Sequence, residues 1–173
     1  MLLGIVIPGL AVRRASSAPN ALLALRQVFV SFCLALGVFL VVLVLMGIEE
    51  EADPPFSPEA AAGAIVAIGF GLVLLSWRIA RQLPCDEGSL VGAYRTQFFL
   101  RTAMAETPAL LGFVAVFLTG SLWPYLAGLV PAAVGFARNA PTRTHLERED
   151  EKLRDCGCVH SLYALLRESP LPR

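Results

Sequence analysis

The sequence predicts an all-α membrane protein: four transmembrane helices in a bundle of two hairpins, with both the N-terminus and the C-terminus cytoplasmic. Three observations predict it. Hydrophobic residues make up 56% of the 173 and charged residues 16%, with a mean hydropathy of +0.66, so a water-facing shell around a globular core would be short of polar groups. Charge is also segregated: none lies from Gln27 to Ile48, none from Ala60 to Trp77, and between Arg101 and Arg138 only Glu106. Finally, all fourteen basic residues fall on one side of a membrane once the apolar stretches are threaded through it.

Residues 1–27 form an N-terminal cytoplasmic or interfacial segment. Its first dozen residues are apolar, but Gly4, Pro8 and Gly9 break them and Arg13 and Arg14 follow rather than precede, which is not a signal-peptide layout. Either an interfacial segment or an over-extended translation start fits. The transmembrane domain spans 28–138, with helices near 28–48, 59–80, 98–118 and 122–138. A hydrocarbon core of ~30 Å takes roughly 20 helical residues, so the third charge-poor stretch is long enough for two passes. It turns at Thr119, Gly120 and Ser121, and Trp123 and Pro124 open the return helix. Pro131 interrupts that helix, the shortest of the four.

Arg13, Arg14 and Arg26 precede the first helix, Arg78, Arg81, Arg95 and Arg101 flank the second loop, and seven basic residues from Arg138 to Arg173 follow the fourth. The first loop instead carries Glu49, Glu50, Glu51 and Asp53 among prolines. Basic residues are retained on the cytoplasmic face, so both termini and the second loop belong inside. Trp77 and Trp123 lie near helix ends, as interfacial anchors do.

Residues 139–173 form a charged cytoplasmic tail, dense in both signs from Thr144 to Leu153, as on a solvated helix face. Cys33, Cys85, Cys156 and Cys158 are all expected as reduced thiols in or beside the cytosol. His145, Cys156, Cys158 and His160 fall within sixteen residues but lack zinc-finger spacing, so no metal site is expected there, only a short helix and turn with two incidental thiols.

Two features stand out inside the membrane. Gly63, Ala67 and Gly71 recur every four residues, line one helix face and let another backbone approach closely, which makes that face a helix-packing surface. Glu106 lies eight residues into the third helix, about 12 Å deep at 1.5 Å per residue. A charge there costs roughly 3 kcal/mol on insertion scales, so the carboxyl group should face protein or water. Thr102 is one turn earlier on the same face, and Pro108 has no amide hydrogen to give the carbonyl of Met104. Glu106 and Thr102 are thus a candidate proton or cation site. Structurally, the acid is instead a neutral group that glues helices together.

The hairpin 59–120 resembles the membrane-rotor subunit c of rotary ATP synthases. The likeness rests on the Gly/Ala-rich run from Ala61 to Gly71, on Arg81-Gln82-Leu83-Pro84 beside that family's Arg-Gln-Pro loop, on Ala105-Glu106-Thr107-Pro108, and on Gly112 six residues after the acid. It implies that Glu106 is a proton-carrying carboxylate on a tightly packed hairpin with its loop inside. The chain departs from the pattern in the inserted Leu83, in Arg95 and Arg101 near the hairpin's entrance, and in helices on both sides of it. The full chain resembles bacterial-type four-helix integral membrane proteins.

Enzymatic and nucleic-acid functions find no support. No Ser/His/Asp or Cys/His arrangement sits on a rigid scaffold, no Walker-type loop occurs, and no cofactor is implied. The basic residues spread along a membrane face with few aromatics between them, which suits anionic lipid headgroups. Two readings remain. One is a non-enzymatic accessory or assembly protein that packs through Gly63, Ala67 and Gly71 as a homo-oligomer or within a larger complex; the other is a proton- or cation-handling protein that uses Glu106.

Overall fold

The computed structural model describes residues 20–47, 56–78 and 83–168. The N-terminal apolar segment, the acidic residues Glu49 to Asp53, Arg81 and Gln82, and the last five residues lie outside the described residues. Among the described residues six helices follow in order: α1 Ala21–Leu45, α2 Pro58–Arg78, α3 Glu87–Thr119, α4 Trp123–Asn139, α5 Arg143–Asp155 and α6 Leu162–Glu168. Three of them are long and apolar enough to cross a membrane: α1, α2, and α3 from Gly88.

Two helices start earlier than the charge pattern predicts. α1 begins at Ala21 rather than near 28, because Asn20 caps it: its side-chain oxygen accepts from the amide of Leu23 at 2.9 Å. α3 begins at Glu87 rather than near 98, where Asp86 accepts from the amide of Ser89 at 3.1 Å. Charge marks the edge of hydrocarbon; caps mark the end of a helix. α2 and α4 begin and end within two residues of expectation, with Ser57 capping α2 through the amide of Ala60. After α3, Gly120 takes the left-handed conformation at φ 62°, open to glycine without a side-chain penalty, and the chain turns back into α4.

The chain divides into two compact units. The first comprises Met1–Leu34, Arg81–Phe99 and Asn139–Arg173. Its core joins Leu22 and Leu25 of α1, Leu90, Tyr94 and Phe98 of α3, and Leu146, Leu153, Leu162 and Leu166 of the tail helices, all buried. The tail is therefore more than a solvated helix: Leu146, Asp150 and Leu153 recur at helical spacing and form its buried stripe. Thr142 caps α5, accepting from the amide of His145, and the Arg26 guanidinium donates to the Pro141 carbonyl at 3.2 Å. Asp150, buried in the same stripe, caps α6 by accepting from Ser161 Oγ at 2.7 Å and from the amides of Leu162 and Tyr163 at 2.6 and 3.4 Å.

The expectation of reduced thiols throughout fails here. Cys85, just before α3, is bonded to Cys158, with their Cα atoms 5.2 Å apart. Cys158 reaches that position because α5 ends in a Schellman turn: Gly157 adopts φ 83°, its amide donates to Arg154 O, and the amide of Cys158 donates to Leu153 O at 3.0 Å. Cys158 thereby turns into the core, while Cys156 stays exposed and free.

The second unit comprises Ala35–Ala80 and Leu100–Arg138. Its close approaches are made at glycines of α2, α3 and α4. A Cβ built on Gly112 would lie 2.6 Å from Pro124 O and 2.8 Å from Tyr125 Cα; one on Gly128 would strike Pro108 O; one on Gly135 would lie 2.6 Å from Ala105 Cβ. Positions rising along α4 meet positions falling along α3, so the two are antiparallel. Gly69 meets Pro131 and Val73 meets Gly135, so α4 runs parallel to α2. The second half of α1 joins through Phe39, whose ring lies tilted against Phe113 with centroids 5.2 Å apart, and through the Tyr125 hydroxyl, which donates to Leu36 O at 2.6 Å. Outward-facing side chains of this unit are largely apolar, among them Val44, Leu74, Val114, Phe117 and Val130, as a lipid-facing surface requires.

Candidate functional site

Thr102 and Glu106 lie on consecutive turns of α3, about 40° apart around its axis. Thr102 is fully buried and Glu106 half-buried. Arg101 is five residues from Glu106, about 140° around the helix, and so points away from the carboxyl group. Pro108 continues α3 without a break, leaving the Met104 carbonyl without its helical donor one turn back.

The Thr102 hydroxyl is unusual for its helix. Thr96, Thr107 and Thr119 each donate to the carbonyl four residues earlier, at 3.1, 2.8 and 2.9 Å. Thr102 Oγ1 makes no such bond and, although buried, has no hydrogen-bond partner; the neighbouring Arg101 Nε shares that condition. A buried hydroxyl without a partner costs about 1–3 kcal/mol of desolvation, so such groups mark places where a ligand, ion or water completes the set.

Gly63, Ala67 and Gly71 are all exposed, and a Cβ built on either glycine would meet nothing within 4 Å. α2 packs within its own unit through a different face, buried at Ile65, Gly69, Val73 and Ser76. Gly69 is the glycine that matters internally: its Cβ position is filled by Pro108 and Pro131, at 2.8 and 2.5 Å, so both in-helix prolines converge on it. The packing roles of Gly128 and Gly135 and of the prolines Pro124 and Pro131 were missed from the sequence, although Gly128 and Gly135, seven residues apart, lie on one helix face. Asp150 was missed as well, since an acid in a charged run reads as solvated.

The tail donors are not brought together. Cys158 is in the disulfide, Cys156 and His160 are exposed, and among the described residues no three of His, Cys, Asp and Glu group to hold a metal ion. In the second unit, Phe56, Ser57, Ala60, Ala61, Ala115, Leu118 and Thr119 line an apolar groove of 380 Å³.

No family model, curated protein or solved structure matches this chain.

Proposed function

We propose that this is a small non-enzymatic protein of the cell membrane that crosses it four times through α1–α4, keeps both termini in the cytoplasm, and acts as an accessory or assembly component. It packs through Gly63, Ala67 and Gly71 against a second copy or a larger membrane complex. The observation that carries this reading is the outward placement of that stripe on a helix whose own packing face lies elsewhere. Around it the exposed side chains are large and apolar, and a smooth groove between them offers lipid only backbone, whereas it offers another helix close contact. Supporting the fourth crossing, Arg138 lies 4.0 Å over the Trp77 ring, so α2 and α4 end at one level, and the 17 residues of α4 match the shortest helices that span a bilayer. The test is mass measurement and copurification in mild detergent of wild type against Gly63→Ile and Gly71→Ile. Loss of associated mass with helix content intact is expected; unchanged associated mass in both variants contradicts the reading.

The partnerless Thr102 hydroxyl beside Glu106 favours a second reading, in which that pair binds a proton or small cation in the manner of a subunit c-like hairpin. A hydrophobic carbodiimide modifies a protonated carboxyl group in an apolar site. Labelling confined to Glu106 and fading as pH rises is expected; no labelling at any pH counts against it.

A further inference from the structure

Three of the four cysteines belong to the first unit, and they differ in state. Cys85 and Cys158 share a bond across 73 residues of sequence; Cys156, two residues from Cys158 across the left-handed Gly157, is exposed and free. The residues of the first unit include eleven of the chain's fourteen basic residues, which on the orientation proposed above face the cytosol, where structural disulfides are rare and those that form are transient. A free, exposed thiol two residues from a disulfide in that compartment has a chemistry open to it. We propose that Cys156, Cys158 and Cys85 form a thiol–disulfide relay that reversibly fastens the tail to the segment leading into α3.

Cys158 is only 5% exposed, so a small thiol in water has poor access to its sulfur. Cys156 is exposed and only two residues from it along the chain. Its thiolate attacks Cys158 Sγ; the Cys156–Cys158 bond forms, the Cys85–Cys158 bond breaks, and the electron pair leaves on Cys85, which takes up the proton given by Cys156. This exchange is redox-neutral. Two molecules of a glutathione-class thiol then reduce the Cys156–Cys158 bond, becoming one small disulfide and leaving their two protons on the cysteines; a small disulfide drives the sequence in reverse. Opening leaves the tail folded, since Leu146, Leu153, Leu162 and Leu166 stay packed and Asp150 still caps α6. What changes is the tether at Cys85. The competing route is direct attack of external thiol on Cys85, which is also exposed.

Trypsin separates the two routes. It releases Cys85 on peptide 82–95 and Cys156 with Cys158 on peptide 155–167. The purified full chain in mild detergent is exposed to reduced glutathione, quenched in acid at intervals, alkylated, digested and weighed. The relay predicts that peptide 82–95 comes free with Cys85 alkylated while 155–167 passes through a form lighter by the two hydrogens of an internal bond. Cys156→Ser, and Cys156→Ala as a second variant, slow the release of 82–95 about tenfold, because an intramolecular attack becomes a bimolecular one. Release from both variants at the wild-type rate, absence of the lighter peptide, or a bond that glutathione leaves closed would each overturn the proposal.

Discussion

Replacing Gly112 by alanine adds one methyl group at a close approach of α3 and α4. The new Cβ would sit 2.6 Å from Pro124 O and 2.8 Å from Tyr125 Cα, both backbone, so no side chain can swing away and the helices must part by about 0.8 Å to reach ordinary contact near 3.4 Å. Overpacking of this kind costs about 1–3 kcal/mol, against which alanine returns roughly 1 kcal/mol of helix propensity over glycine. Because both struck atoms are backbone, the cost falls in the upper part of that range, about 2–3 kcal/mol, and the net expectation is a loss of about 1–2 kcal/mol. Gly128→Ala, directed at Pro108 O, should lose at least as much, and the double variant should lose less than the two together, because helices already parted by one methyl group have room for the next. Gly63→Ala is the control: nothing lies within 4 Å, so in the isolated chain only propensity acts and stability holds or rises by up to about 1 kcal/mol. The assay is unfolding in mixed micelles against the mole fraction of SDS, followed by helical circular dichroism. Gly112→Ala as stable as wild type, or Gly63→Ala destabilised as much as Gly112→Ala in a monodisperse monomer, would refute the reasoning.

Asp150→Ala should release α6 at a loss of about 2–3 kcal/mol, since it strips a buried charged acceptor from Ser161 and from the Leu162 amide, and faster amide exchange across 162–168 is the readout. Tyr125→Phe keeps the ring against Phe113 and removes the bond to Leu36 O, for about 1 kcal/mol in the same micelle titration. Trp77→Leu and Arg138→Ala should each weaken the second unit slightly, and a double-mutant cycle should isolate a coupling of about 0.5–1 kcal/mol; zero coupling would show that the ring and the guanidinium do not interact in solution.

The apolar stretches, the turn at Gly120 and the bounds of α2 and α4 were legible because hydrophobicity and charge report directly on where hydrocarbon begins. The starts of α1 and α3 were not, because Asn20 and Asp86 are capping residues inside polar sequence, where many neighbours have the same chemistry. The tail core was hidden for a related reason: Leu146, Leu153, Leu162 and Leu166 are few among many charges, and Asp150 looks like any surface acid until its three donors are seen. Disulfide pairing was out of reach, since four cysteines allow several pairings and sequence spacing does not select among them. In the candidate site, the helical repeat alone put Thr102 and Glu106 on one face. That Thr102 Oγ1 forgoes the carbonyl bond made by Thr96, Thr107 and Thr119 depends on its rotamer and burial, which no sequence pattern encodes.

Because trypsin cuts only after lysine and arginine, and all fourteen of those residues fall on one side of the proposed topology, the enzyme reads orientation directly. In right-side-out membrane vesicles the chain should stay whole, and in inverted vesicles it should lose its tail beyond Arg138. A chain shortened by trypsin in sealed right-side-out vesicles would contradict the four-crossing arrangement and the cytoplasmic termini together.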